Sequence, residues 1–186
     1  MKVIVGVSGG SGAIYGVALL KVLKELGVET HLVVSTLGEH VVEHECGIKL
    51  DELKKLATYY HDNKNLAAPI ASGSFKTDAM VIVPCSMKTV ASVAHGLSDN
   101  LLTRAADVII KENRKLIVVP RESPLSTIHL ENMLKLSKLG VTVLPPSPGF
   151  YSQPESIGDI VALIVGRILD QLGLEHNLLN RWGEED

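Results

Sequence analysis

Lys2-Val3-Ile4-Val5-Gly6-Val7-Ser8-Gly9-Gly10-Ser11-Gly12-Ala13-Ile14-Tyr15-Gly16 joins an apolar β-branched run, a glycine-rich turn and the start of a helical stretch. The run from Val3 to Val7 lacks polar alternation, as a strand covered on both faces does. The turn presents backbone amides and a helix N-terminus, a combination that seats a phosphate, although a ligand-free strand-to-helix turn has the same pattern. No Gly-Lys-Ser/Thr follows, so this is not a Walker loop. Tyr15 stands where a Gly-x-Gly-x-x-Gly fingerprint counted from Gly10 needs its third glycine.

Similar apolar runs follow at Thr30 to Val34, Met80 to Val83, Leu116 to Val119 and Val141 to Leu144. Between them helical spacing spans Tyr15 to Leu26, Val90 to Ile110, His129 to Leu139 and Ile157 to Leu172, with Gly27, Gly140 and Gly173 as stops. The alternation predicts an α/β fold: a doubly wound parallel sheet with helices on both sides, in one domain over residues 1–186. Residues 67–77 and 145–154 read as the main loops, and residues 179–186 as a weakly anchored C-terminal tail.

In such a sheet ligands sit beyond the carboxyl ends of the strands, so chemistry is expected in the residues just after each run. Ser35 ends the second run where a dinucleotide fold offers an acid, which favours a flavin mononucleotide or another phosphate monoester. Pro84-Cys85-Ser86-Met87-Lys88-Thr89 is a second polar turn opening a helix, and two such turns suit a bipartite ligand. Cys85, at the buried end of a strand with no histidine near in sequence, reads as an inert thiol. Arg121-Glu122 should project from the sheet's edge, where an arginine clamps phosphate and a glutamate exchanges a proton with it. Arg104, Lys111 and Arg167 are further cations on helices predicted to reach that edge.

The 186 residues carry 18 basic against 21 acidic side chains, a formal charge of -3, which supplies no general attraction to nucleic acid or acidic membranes. Aromatics are 4%, too few for a base-stacking platform. No apolar stretch approaches the ~18 residues of a spanning helix. Two cysteines and no evident signal segment lead us to expect a cytoplasmic protein. His40-Val41-Val42-Glu43-His44 has the spacing of inverted zinc peptidases, but it reads first as an exposed helix surface, and no metal is expected. Glu45 on the same helix becomes the more interesting carboxylate if it turns toward the first glycine-rich loop.

Taken together, residues 6–16, Ala71-Ser72-Gly73-Ser74-Phe75, Pro84 to Thr89, Asp99 to Val108, Val119 to Leu125, and His129-Leu130-Glu131-Asn132-Met133 resemble the flavin prenyltransferase family. Older names for it are accessory aromatic-acid decarboxylases of ubiquinone synthesis. The resemblance extends through Gly149-Phe150-Tyr151 to Arg181-Trp182-Gly183 and so covers nearly the whole chain. One departure is Gly10, where the family more often has alanine.

The resemblance implies a flavodoxin-like three-layer fold in a homo-oligomer, commonly a dodecamer. It implies an enzyme that joins a dimethylallyl group from dimethylallyl monophosphate to N5 and C6 of reduced FMN, for use by a UbiD-type decarboxylase. By motif match, Gly9, Gly10, Ser11, Ser35, Ser86, Met87, Lys88, Thr89 and Arg121 would contact FMN. Lys111, Arg121, Glu122, Tyr151 and Arg167 would hold the prenyl phosphate, and Trp182 would dock on a neighbouring subunit. Ser11, Glu45, Lys111 and Glu122 would be catalytic. The residues agree with this chemistry: cations stabilise a departing phosphate, Glu122 exchanges its proton, and Ser11 with Glu45 can relay the C6 proton. The absence of an Asp-Asp-x-x-Asp magnesium motif disfavours a diphosphate donor.

Two rival readings draw on the same fold. A flavin-dependent cysteine decarboxylase would need a Pro-x-Met-Asn turn, where this chain has Pro84-Cys85-Ser86-Met87-Lys88. A flavin carrier without activity would leave Lys111, Glu122, Tyr151 and Arg167 without a purpose.

Overall fold

The computed structural model describes residues 1–179. The expectation for Trp182 therefore lies outside the described residues. Six strands, β1 (Lys2–Val7), β2 (Glu29–Val34), β3 (Tyr59–Asp62), β4 (Ala79–Cys85), β5 (Lys115–Pro120) and β6 (Thr142–Val143), form one sheet in the order β3-β2-β1-β4-β5-β6. Every neighbouring pair is parallel. The helices are α1 (Ala13–Glu25), α2 (Thr36–Cys46), α3 (Leu50–Lys54), α4 (Met87–Ala94), α5 (Leu101–Lys111), α6 (Thr127–Lys138) and α7 (Ile157–Leu172).

Alternate residues of each central strand feed two separate cores, which is why the runs contain no polar positions. Val3, Val5, Val7, Val81, Val83, Ile117 and Val119 pack under α1 and α7. Ile4, Met80, Ile82, Leu116 and Val118 pack on the other face under α4, α5 and α6. The chain winds one way from β1 to β3 and the other way from β4 to β6, so the strand order reverses between β1 and β4. A crevice at that switch point is where doubly wound folds bind ligands.

Two expectations change. The helix expected from Val90 to Ile110 is two helices: Gly96 takes φ 68, and the Asn100 side chain accepts the Thr103 amide at 3.1 Å, starting α5 afresh. The sheet also has a sixth strand, β3, which lacked an apolar run because Tyr59-Tyr60-His61-Asp62 lies at an edge and is only partly covered.

A histidine pair holds β3 to the sheet. Glu29 Oε1 lies 2.9 Å from His31 Nε2, and His31 Nδ1 lies 2.9 Å from His61 Nε2, with Tyr59 and Phe75 against the His31 ring and Lys2 on Glu29. Burial, and then the neighbouring His31, push His61 below the ordinary imidazole value. Its neutral form is therefore favoured in the folded chain, so the stabilisation is complete above the ordinary value and is lost as pH falls through the lower folded value. Denaturant unfolding at pH 7.5 and at pH 5 should show a loss of stability on acidification that His61→Gln diminishes. An equal loss in that variant would exclude His61 as its source.

Candidate functional site

Three turns meet at the carboxyl edge beside the switch point. Ser8 ties the first to the second: its hydroxyl donates to the Pro84 carbonyl at 3.1 Å and accepts the Ser86 amide at 2.7 Å. The third is drawn in by the Ser35 amide, which donates to the Val7 carbonyl at 2.9 Å. Each turn opens a helix, so the N-termini of α1, α2 and α4 gather around one space and give it a positive potential. Ser35 caps α2 by accepting from the Gly38 amide at 3.0 Å, and Ser86 caps α4 by accepting from the Thr89 amide at 3.3 Å. Ser86 Oγ also lies 3.0 Å from Thr89 Oγ1. The Ser35 hydroxyl keeps its own hydrogen to donate to a bound anion.

The N-terminus of α1 is arranged differently. Gly12 has φ 101, a left-handed conformation that favours glycine, and supplies no side-chain cap. Glu45, reaching over from α2, accepts the Gly12 and Ala13 amides at 2.9 Å each. A carboxylate there stabilises the helix end by about 1 kcal/mol. Burial pushes the Glu45 carboxyl up, but the Ser11 hydroxyl, the two amides and the charge of Arg121 together outweigh it, leaving Glu45 below the ordinary carboxylate value. The structure thus joins Ser11 and Glu45, which the sequence reading paired, adds the charge of Arg121 to them, and holds Glu45 ionised at neutral pH.

Close approach shapes the same space. A Cβ on Gly16 would lie 2.5 Å from the Val83 carbonyl oxygen, so α1 rests directly on the end of β4. Gly10 is the opposite case: a Cβ there meets the Ser86 amide nitrogen at 3.5 Å, an ordinary contact, and its φ is not left-handed. Gly10→Ala should therefore fold as before and gain about 0.5 kcal/mol from a stiffer unfolded chain, seen as a higher denaturation midpoint. A loss of stability would mean that the backbone at Gly10 is strained.

Not all expected site residues reach this space within one chain. Gly9, Gly10, Ser11, Ser35, Ser86, Met87, Lys88 and Thr89 lie on the three turns and the helix starts they open, Glu45 lies over the first, and Arg121 and Glu122 follow β5 at the same edge, with the charge of Arg121 acting on Glu45. Lys111 ends α5, pairs with Glu112 and lies beside Gly73, at the edge where β4 and β5 begin. Glu122 stands beyond the far end of β5, roughly 20 Å away along the strand. The expectation that α5 brings Lys111 to the ligand edge is thus corrected. Arg104, on the same helix, is tied to the Ala71 carbonyl and to Asp107.

Tyr151 and Arg167 form a third group, on α7 and the loop before it. Tyr151 lines a cavity of about 330 Å³ and Arg167 one of about 280 Å³, and Leu163 lies between them as a shared wall. Gln171, one turn beyond Arg167, accepts from Lys115 at the start of β5, which places Arg167 far along α7 from Glu122.

Cys85 is fully buried, and burial pushes its thiol well above the ordinary range, consistent with an inert side chain. His40 and His44 are exposed and stacked on one another, and no group of three metal-ligating side chains occurs among the described residues. Sequence reasoning placed Ser8 in the first turn but gave its buried hydroxyl no role of its own. It missed Asp170, whose spacing of three residues from Arg167 was a readable signal.

Comparison with known proteins follows the same lines. The profile of the Flavoprotein family matches residues 1–169. The flavin prenyltransferase UbiX of Methanocaldococcus jannaschii is 50% identical over 183 residues, covering 98% of this chain and 99% of that one. Among solved structures, a dodecameric FMN-dependent UbiX-like decarboxylase from Escherichia coli superposes with a TM-score of 0.96 at 53% identity, over 98% of this chain and 99% of that one. AnUbiX, in complex with FMN and dimethylallyl pyrophosphate, gives a TM-score of 0.97 at 42% identity, over 100% and 98%. Among the described residues no helix is long and apolar enough to cross a membrane. With this similarity along nearly all its length, the chain belongs to the flavoprotein family and, within it, to the UbiX-like flavin prenyltransferases.

Proposed function

We propose that this prenyltransferase joins the dimethylallyl group of dimethylallyl monophosphate to N5 and C6 of reduced FMN, and that the prenylated flavin serves a separate UbiD-type decarboxylase. The observation that carries the reading is Glu45, held ionised by the Ser11 hydroxyl and the Gly12 and Ala13 amides at the switch-point crevice. The donor set there suits FMN: capping serines, helix N-termini and glycine amides for the phosphate, and Arg121 beside them. Gly9, Gly10, Ser11, Ser35, Ser86, Met87, Lys88, Thr89 and Arg121 would hold it. Reduced FMN supplies a nucleophilic N5 and C6.

The remaining roles belong to this chain's side chains. Lys111, Arg121, Tyr151 and Arg167 bind the prenyl phosphate and stabilise the charge it gains as the allylic carbon–oxygen bond breaks and the electron pair stays with oxygen. Glu122 exchanges a proton with that phosphate. Ser11 and Glu45 remove the proton that C6 must lose for ring closure. Because Lys111 and the Tyr151–Arg167 group lie apart from the crevice in a single chain, a complete site is formed by several chains. The dodecamer described for the Escherichia coli relative supports a homo-oligomer of that order.

The test is anaerobic incubation of the protein with reduced FMN and dimethylallyl monophosphate, followed by mass spectrometry of the flavin. A gain of one C5H8 unit is expected, and it should persist in excess chelator. The AnUbiX complex holds the pyrophosphate, so that donor is run in parallel. No mass gain with either donor would overturn the reading.

A further inference from the structure

Asp170 stands between Arg167 and the C-terminal segment that follows α7. Arg167 Nη1 donates to one of its carboxylate oxygens at 3.2 Å, and His176 Nε2 lies 3.1 Å from the other. The Leu178 amide donates to His176 Nδ1 at 3.2 Å, so Nδ1 is an acceptor and the ring hydrogen sits on Nε2, directed at Asp170. The His176 side chain is 2% exposed and that of Asp170 17%, whereas that of Arg167 is 54% exposed and open to an anion.

The C-terminal segment reaches this carboxylate because Gly173, at φ 73, ends α7 and turns the chain back over it. The fit over the helix is close: a Cβ on Gly166 would lie 2.6 Å from Leu179 Cγ and 3.0 Å from His176 Cε1. Leu178 and Leu179 then form a wall of the cavity that Tyr151 lines.

We infer that Asp170 is a positioning residue that orients Arg167 for the prenyl phosphate with one oxygen and, through His176, seats the Leu178–Leu179 wall with the other. Phosphate capture by Arg167 is thereby coupled to the seating of the C-terminal segment. This rests on the assignment of Arg167 to the phosphate; the segment's attachment rests on geometry alone.

The coupling is tested with Asp170→Asn, which keeps the shape but turns an amide toward one of its two partners. The apparent KM for dimethylallyl monophosphate should rise on the order of tenfold, the size of one charge-assisted hydrogen bond, while kcat at saturation and FMN affinity stay within about twofold. In an Arg167→Ala background the same substitution should add no further rise. His176→Ala should raise KM as Asp170→Asn does, and His176→Gln, which keeps a donor near the Nε2 position, should restore it. Hydrogen exchange at the Leu178 amide, with inorganic phosphate as the probe, gives a readout independent of turnover. Phosphate should slow that exchange in the unaltered protein and not in Asp170→Asn.

An unchanged KM, additive effects with Arg167→Ala, or equal phosphate protection in both proteins would each overturn the inference. Failure of the proposed function looks different: the unaltered protein would make no prenylated flavin, while the phosphate-exchange comparison would still decide the coupling.

Discussion

Glu45→Gln is expected to leave FMN bound and the bond to N5 formed, and to slow ring closure at C6 by on the order of 10²- to 10⁴-fold, the usual contribution of a positioned base. The substitution keeps the side chain's length and an oxygen to accept the Gly12 and Ala13 amides, but removes the charge that Ser11, those amides and Arg121 now stabilise. The open and the cyclised adduct have the same mass, so mass spectrometry alone cannot separate them. The proton on C6, present only in the open adduct, does so in the NMR spectrum of the isolated flavin. Glu122→Gln should act earlier, slowing the appearance of any adduct, because its proton belongs to the leaving phosphate. A Glu45→Gln protein that cyclises at the normal rate would remove Glu45 from the reaction.

The pH behaviour follows from the sign of the Glu45 shift. A base held below the ordinary carboxylate value stays ionised through the neutral and weakly acidic range, so its proton-transfer step should be level there and fall only as pH drops through that lowered value. Its contribution to folding has the same direction, present above the unfolded carboxylate value and lost as pH falls through the folded one.

The turns that form the switch-point crevice were legible in the sequence, and the placement of the expected phosphate ligands only in part, for a physical reason. Turns at strand ends are local features: Ser8-Gly9-Gly10-Ser11-Gly12, Ser35 and Ser86 to Thr89 each stand directly after an apolar run, and a parallel sheet aligns all carboxyl ends at one edge. Glu45 was foreseen as conditional on its direction, which only the packing of α2 against the turn decides. Lys111 was expected on a helix that could reach the ligand edge, but a helix that returns from the end of one parallel strand to the start of the next finishes at the opposite edge, and α5 ends just before the first residues of β5. β3 escaped notice because a partly covered edge strand needs no apolar run. The Asp170–His176 contact depends on a chain reversal at Gly173, and no spacing in the sequence encodes it.

Two inactive chains are expected to restore activity to one another. Lys111 and Glu45 lie near opposite edges of the sheet in one chain, so if both act on one substrate pair they come from different subunits. Lys111→Ala should lower adduct formation by on the order of 10²- to 10³-fold through loss of a cation at the leaving group, and Glu45→Gln should lower cyclised product as argued above. When the two variants are produced together with different affinity tags and the mixed oligomer is purified on both, some sites receive Glu45 from one chain and Lys111 from the other. With random mixing of equal amounts, about a quarter of the sites are complete, so cyclised product should return to about a quarter of the unaltered level. The unaltered chain paired with Lys111→Ala serves as the control: Lys111 then comes only from the unaltered chains, and about half of the sites are complete. Mixed oligomers of Lys111→Ala and Glu45→Gln no more active than either parent would show that both groups serve the same chain's site, and that α5 must move by nearly the height of the sheet to bring them together.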